Sequence, residues 1–341
     1  KIKPIMDLGF PDVPYAAATL GMCSEVLGLD DEVSMDHMWG PRVTIFLSQK
    51  DKARYGEELI AGFKQEFPKT FKGLKATWHK AGVDIQATSE EMMYSVWTTT
   101  VDGWLKFCGG KDALPLKPVE WLKVSEQHLL EATNGVVYHD DTGELTAARE
   151  ALAHYPDGVL CFLLMCEWNT VGGDWFPIGR IGSRDDRLGL HIQANKIAQH
   201  LMRIGFMVSR EYFTYKKWFG SLFKRLPIAS ELEPVLLALQ HDDDWHKVEE
   251  HIAEAARILL DAQNAIDIAP KITLDAKQTD DGRHHLDMDF WGIGRRTGQR
   301  MPAELRAIEK NQVWWLHERQ LILWNEEVGK WPLLLQKDEI P

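Results

Sequence analysis

The sequence predicts an α+β protein, with a mixed sheet and its helices over 1–150 and a helical bundle over 151–341. Three observations carry this. Short runs rich in β-branched and aromatic residues, VTIF and YSVWTTTV, alternate with a charged amphipathic stretch in the first part. From Thr146 onward, apolar residues recur at three- and four-residue spacing over long spans. At 341 residues the chain exceeds one ordinary domain, yet no low-complexity or Pro/Ser-rich linker interrupts it. A short packed connection near 145–158 is therefore expected.

In chain order, residues 1–15 hold Pro4, Gly9, Pro11 and Pro14 and are expected to run extended rather than helical. Ala16 to Met22 is too short for periodicity to decide between a helix end and a buried strand. Arg42 to Leu47 reads as a strand. Asp51 to Phe67, with Ala53, Leu59, Ile60 and Phe63 on a charged background, reads as an amphipathic helix ending before Pro68. Tyr94 to Val101 is the strongest strand signal in the chain. Val119 to Ala132 has a helical apolar side, and Gly135 to His139 is a short strand delivering Asp140 and Asp141 into the turn DDTG. Helices then follow over Leu160–Thr170, Leu188–Tyr212, Trp218–Leu226, Glu231–Leu239, Trp245–Ala262 and Pro302–Val328.

Composition narrows the function. Lys plus Arg is 39 against 51 Asp plus Glu, a net charge of -12, which repels a polyanion on average and argues against a nucleic-acid partner. The clusters Arg295/Arg296/Arg300 and Lys216/Lys217/Lys224/Arg225 are the exceptions, and solvated surface is their simpler explanation. The four cysteines, Cys23, Cys108, Cys161 and Cys166, form no CxxC spacing, so neither a disulfide framework nor a zinc knuckle is expected and a cytoplasmic setting fits. No apolar run approaches the roughly 20 residues of a membrane span, and the first residues lack a signal-peptide pattern. The 14 Trp suggest deep aromatic packing or flat ligand-facing surfaces.

Chemistry concentrates between Leu20 and Leu47, where Ser24, Glu25, Gly28, Asp30, Asp31, Asp36, His37, Trp39 and Arg42 lie between two apolar runs. The spacing suits a strand, a turn holding Ser24, a short helix and a return strand, with Asp36 at the mouth of the turn. Nucleotidyl transfer needs such parts: a small loop whose backbone approaches phosphates, a hydroxyl on a phosphate oxygen, and carboxylates holding magnesium. Each residue also has a purely structural role open to it. Ser24 can cap a turn or helix, Asp36 can serve a turn, Trp39 can fill core beside the Gly40–Pro41 bend, and Arg42 can pair with Glu25.

On these residues the chain resembles the polymerase-beta-like nucleotidyltransferase superfamily, whose hallmark is Gly-Ser followed by Asp-x-Asp. SEVLGLDDEVSMDHMWGPR, VYHDDTGELTAARE, AHYP and YFTYKKWFG are similar to an uncharacterised bacterial family within it, as is the segment HLDMDFW. The resemblance implies that Ser24 is the motif serine and Asp36 the first metal-binding carboxylate, with Asp140 or Asp141 as the third. Two positions depart from the pattern. Cys23 replaces the glycine before the serine, and Met38 stands where the second Asp belongs, offering a thioether to a cation that prefers oxygen.

The resulting expectation is a nucleotidyltransferase. It would take a nucleoside triphosphate with Mg2+ and pass a nucleoside monophosphate to a hydroxyl of a small molecule or protein. Asp36 and Asp140 hold the metal, Asp140 or Asp141 draws the acceptor proton, and Ser24, Gly28, His37, Trp39, Arg42, Lys216 and Lys217 are the nucleotide contacts. The alternative is a catalytically degenerate nucleotide-binding or regulatory protein of the same fold, motivated by Met38 and Cys23. A third reading is a metal-dependent hydrolase using His285, Asp287 and Asp289, which share one face if extended. Phosphate-loop, Rossmann and serine-hydrolase motifs are absent. HDDDWH reads as a helix entry capped by Asp244, and Cys161 with Cys166 as buried filling.

Overall fold

The computed structural model describes residues 2–21, 24–34, 40–66, 70–79, 92–94, 96–109, 114–278 and 286–309. It is an α+β fold in two compact units. The first comprises Lys1–Pro115 with His128–Ala153, and the second Leu116–Gln127 with His154–Pro341.

In the first unit, α1 (Ile2–Gly9) replaces the extended lead-in expected over 1–15. Pro4 lies in the first turn, where backbone N–H groups have no intrahelical acceptor, so the missing donor costs nothing there. Met6 is buried, and Ile2 and Ile5 pack against the same core. The ambiguous Ala16 run resolves as β1 (Ala16–Thr19). Alanine has little strand preference of its own, and pairing on both sides decides the matter.

β1 is antiparallel to β2 (Val43–Phe46), with Ala16 opposite Phe46 and Ala18 opposite Thr44. α2 (Gln49–Glu66) follows, its start closed by Ser48, whose hydroxyl donates to Asp51 (2.7 Å) and accepts from the Asp51 N–H (3.0 Å). Its Leu59 and Phe63 reach the core made by Tyr15, Ala17, Val43, Ile45, Leu47 and Val96. Next come the hairpin β3 (Thr70–Phe71) and β4 (Leu74–Lys75), the pair β5 (Thr77–His79) and β6 (Met92–Tyr94), and β7 (Val96–Thr99). β7 lies parallel to β2, as a helical crossover permits. α3 (Val101–Gly109) succeeds it, so the predicted strand ends before Val101.

The single helix expected over Val119–Ala132 is two, α4 (Pro118–Trp121) and α5 (Glu126–Thr133), and the unit boundary falls inside α5. β8 (Val136–Asp140) then pairs antiparallel with β1, giving the strand order β7-β2-β1-β8, and α6 (Glu144–Ala151) completes the first unit.

The second unit is the predicted helical bundle. α7 (Asp157–Trp175) is buried without a break from Val159 to Trp168, so it has neighbours all round and no solvent stripe. α8 (Ile178–Gly182), α9 (Arg187–Val208), α10 (Phe219–Phe223), α11 (Ala229–His241) and α12 (Trp245–Ala265) follow. β9 (Lys277–Gln278) and β10 (Leu286–Asp287) form a two-stranded ribbon before α13 (Phe290–Thr297) and α14 (Ala303–Glu309). α7 packs against α9 and α13. The α13 contact requires glycine: a Cβ on Gly172 would stand 2.9 Å from the Phe290 Cβ, and one on Gly294 would collide with Asn169. The predicted helix over Pro302–Val328 begins with α14, and its remainder lies outside the described residues. Among the described residues no helix is long and apolar enough to cross a membrane.

Candidate functional site

β1 runs into a tight turn at Ser24. The Ser24 carbonyl accepts from the N–H groups of Leu27 (3.1 Å) and Leu29 (2.9 Å), and the Glu25 carbonyl from that of Gly28 (3.0 Å). Gly28 has φ 61, a left-handed value that a side chain would oppose. Asp31 accepts from the N–H (2.8 Å) and hydroxyl (2.7 Å) of Ser34, closing a short 3-10 turn over Glu32–Ser34. The strand, serine turn, short helix and antiparallel return strand are thus in the predicted order. Cys23, Asp36, His37, Met38 and Trp39 lie outside the described residues.

Arg42 takes the structural role open to it. Its Nε lies 2.8 Å from Glu25 Oε1, with the two side chains 5% and 18% exposed. This buried pair ties the serine turn to the start of β2. Thr19 Oγ1 donates to the Arg42 carbonyl (2.8 Å), and the Tyr138 hydroxyl donates to Thr19 Oγ1 (3.3 Å), so β8 joins the same web.

Asp140 and Asp141 are placed differently from the expectation. Asp140 pairs with Ala16 and Val136 with Thr19, so both aspartates lie at the end of β1 remote from Thr19, the residue that leads toward Ser24. Asp140 Oδ1 accepts from the Gly143 N–H (3.0 Å), while Oδ2 accepts from the Thr146 N–H (2.9 Å) and hydroxyl (2.8 Å). It caps α6, and the helix dipole favours its charge. Asp141 accepts from the Tyr15 N–H (3.0 Å) and lies 2.9 Å from His139 Nε2. The Tyr15 N–H, and then His139, hold its carboxyl below the usual carboxylate range. The two aspartates therefore serve the turn and the sheet edge, and among the described residues no three His, Cys, Asp or Glu side chains are grouped to hold a metal.

A cavity of ≈ 770 Å³ opens beside this region, within the first unit. Thr19, Glu25, Gly40, Arg42, Lys3, Tyr15, Lys72 and His139 are among the residues that line it. The His139 and Tyr15 rings lie 4.3 Å apart. Sequence reasoning passed over Lys3, Thr19, Lys72 and Tyr138. Lys72 had a signal, since Lys72-Gly73 between Thr70-Phe71 and Leu74-Lys75 is a two-residue hairpin loop, and both residues are left-handed (φ 50 and 82).

Lys216 and Lys217 belong to the second unit. Both are exposed in a turn ahead of α10, and Lys217 Nζ lies 4.9 Å from the Trp218 ring centroid. Asp289 caps α13, accepting from the Gly292 N–H (2.8 Å), and Asp287 is exposed in β10. His285 lies outside the described residues. Asp244 caps α12 as expected, accepting from the His246 N–H (3.0 Å). Cys161 and Cys166 are buried and are not in a disulfide, and burial pushes the Cys161 thiol up to about 11.

The second unit also buries an ionic cluster that sequence reasoning missed. His200 Nδ1 lies 2.7 Å from Glu167 Oε2, and Arg203 Nη1 lies 3.7 Å from Glu167 Oε1. His200 Nε2 is 3.7 Å from Asp174, two helical turns beyond Glu167 on α7. The seven-residue spacing of Glu167 and Asp174, which puts both on one face of α7, was the available signal.

Comparison with curated proteins and with solved structures gives no match. Residues 121–219 are similar to a family described as "Domain of unknown function (DUF4037)", a stretch that includes Asp140, Asp141, Lys216 and Lys217 but not the Ser24 turn.

Proposed function

We propose that this chain binds a nucleoside triphosphate with Mg2+ at the Ser24–Gly28 turn and acts as a nucleotide-binding or regulatory protein rather than through turnover. The observation that carries the reading is the turn itself. It is a serine and a left-handed glycine between two antiparallel strands, fixed to the return strand by the Arg42–Glu25 pair. The N–H groups of Leu27, Gly28 and Leu29 are used within the turn, and what it offers a phosphate is the close approach to the chain that a glycine without a side chain permits. Ser24 would contact phosphate and Asp36 the metal. Met38 in place of a second carboxylate, and Asp140 with both oxygens in use at the α6 cap, favour binding over two-metal chemistry. Cys161 and Cys166, neither in a disulfide, suit a reducing, cytoplasmic setting.

A second reading, nucleoside monophosphate transfer to a hydroxyl of a small molecule or protein, draws on the cavity beside the turn, which has room for an acceptor. Titration calorimetry of the full chain with ATP and Mg2+, followed by a product assay with labelled ATP, separates the two. Saturable binding without product, weakened about tenfold or more in Asp36→Ala, supports the proposal. Product that disappears in Asp36→Ala selects transfer, and no binding by the wild type overturns both.

A further inference from the structure

In a chain of net charge -12, the cavity in the first unit is lined by Lys3, Arg42 and Lys72 against the single carboxylate of Glu25. Glu25 and Arg42 neutralise one another at 2.8 Å, which leaves two lysines facing the space without a lining acid. Lys3 does contact Asp7 (3.0 Å), but both side chains are largely exposed, and such a pair is weak enough to share its cation with a ligand. Lys72 is held by the left-handed Lys72-Gly73 turn, with its amine 5.8 Å from the Phe71 ring centroid. The remaining lining is largely apolar, with Ile2, Ala17, Val26, Pro41 and Val43, and the exposed Tyr138 supplies a flat wall. A volume of ≈ 770 Å³ is in the range that encloses a small organic molecule.

We propose that this cavity binds an organic anion with a flat apolar body. Lys72 and Lys3 hold its carboxylate, phosphate or sulfonate, and Tyr138 lies against its body. The assignment goes beyond the nucleotide reading, because it stands whether or not the Ser24 turn takes a phosphate. Two sources share this chemistry: a nucleotide, with its base and phosphates, and a separate aromatic acid.

The test is a fluorescence titration of the full chain with 8-anilinonaphthalene-1-sulfonate. One saturable site is expected. Lys72→Glu should weaken it about tenfold, as a reversed charge at contact distance does, and Tyr138→Ala should weaken it as well. Lys271→Glu, an exposed lysine of the second unit, should leave it unchanged. All these positions are exposed, so the variants should fold, and matching urea midpoints would establish that they do. Affinity unchanged in both Lys72→Glu and Tyr138→Ala overturns the proposal. Displacement of the dye by MgATP assigns the anion to the nucleotide, and displacement by salicylate but not by MgATP assigns it to a separate acid.

Discussion

Replacing Asp140 by alanine separates the two roles available to that carboxylate. It receives three hydrogen bonds, from the Gly143 N–H, the Thr146 N–H and the Thr146 hydroxyl, at 3.0, 2.9 and 2.8 Å. Loss of a capping side chain costs about 1 kcal/mol, and loss of a negative charge at a helix N-terminus adds about 0.3–1 kcal/mol. Because the site is exposed, water replaces part of what is removed. The expected loss for Asp140→Ala is therefore about 1–2 kcal/mol, read as a lower urea midpoint with an unchanged slope. Asp140→Asn keeps one acceptor oxygen and should lose about half as much. The affinity for MgATP measured by calorimetry should stay within about twofold in both variants. Wild-type stability in Asp140→Ala, together with lost Mg2+-dependent binding, would refute the capping account and make this residue a metal ligand.

Asp141 predicts an acid-side effect. Its folded pKa is lowered, so its contribution is present above the unfolded value of about 3.9 and disappears as pH falls through the lower folded value. Asp141→Asn should therefore be less stable than wild type at about pH 6, and the gap should narrow as pH falls below the unfolded value of about 3.9; a gap that does not change with pH would count against the Tyr15 and His139 contacts. A Cβ on Gly182 would run into Trp245 close to its backbone, where the ring cannot swing away, so Gly182→Ala should lose about 1–3 kcal/mol despite alanine's better helix propensity. A variant as stable as wild type in thermal unfolding would contradict this. Gln263 is 1% exposed, accepts from Trp168 Nε1 (2.8 Å) and donates to Thr297 Oγ1 (3.0 Å). Gln263→Leu orphans both groups and should cost about 2–4 kcal/mol in urea unfolding, whereas a neutral result would mean that neither group needs the amide.

How much was legible in the sequence follows from what each signal depends on. β2 and α2 read correctly because β-branched alternation and a charged amphipathic face are local properties. α1 was missed because Pro4 reads as a breaker until its place in the first turn is known. The apolar spacing from Val119 to Ala132 continues through the break between α4 and α5, so periodicity could not reveal it. In the candidate site, Ser24 and Gly28 were readable from the turn chemistry they need. The DDTG turn was readable too. That it lies at the opposite end of β1 depends on the Ala16–Asp140 register, set by a strand more than a hundred residues away. Local composition carries nothing about such a register.

The segment Leu116–Gln127, which belongs to the second unit while residues on both sides of it belong to the first, bears on how the protein is made. β1 acquires its β2 neighbour early in synthesis, but its other edge stays open until Val136–Asp140 emerges from the ribosome. The first unit cannot close before that, and Leu116–Gln127 must then wait for the helices that begin at Asp157. A chain stopped at residue 150 would release all four strands of the sheet with a foreign, partly apolar loop attached. Trp121 and Leu122, buried in the complete protein at 3% and 0%, would be left facing water. Separate expression of the two halves should favour aggregation, while synthesis as one chain lets the second unit receive Leu116–Gln127.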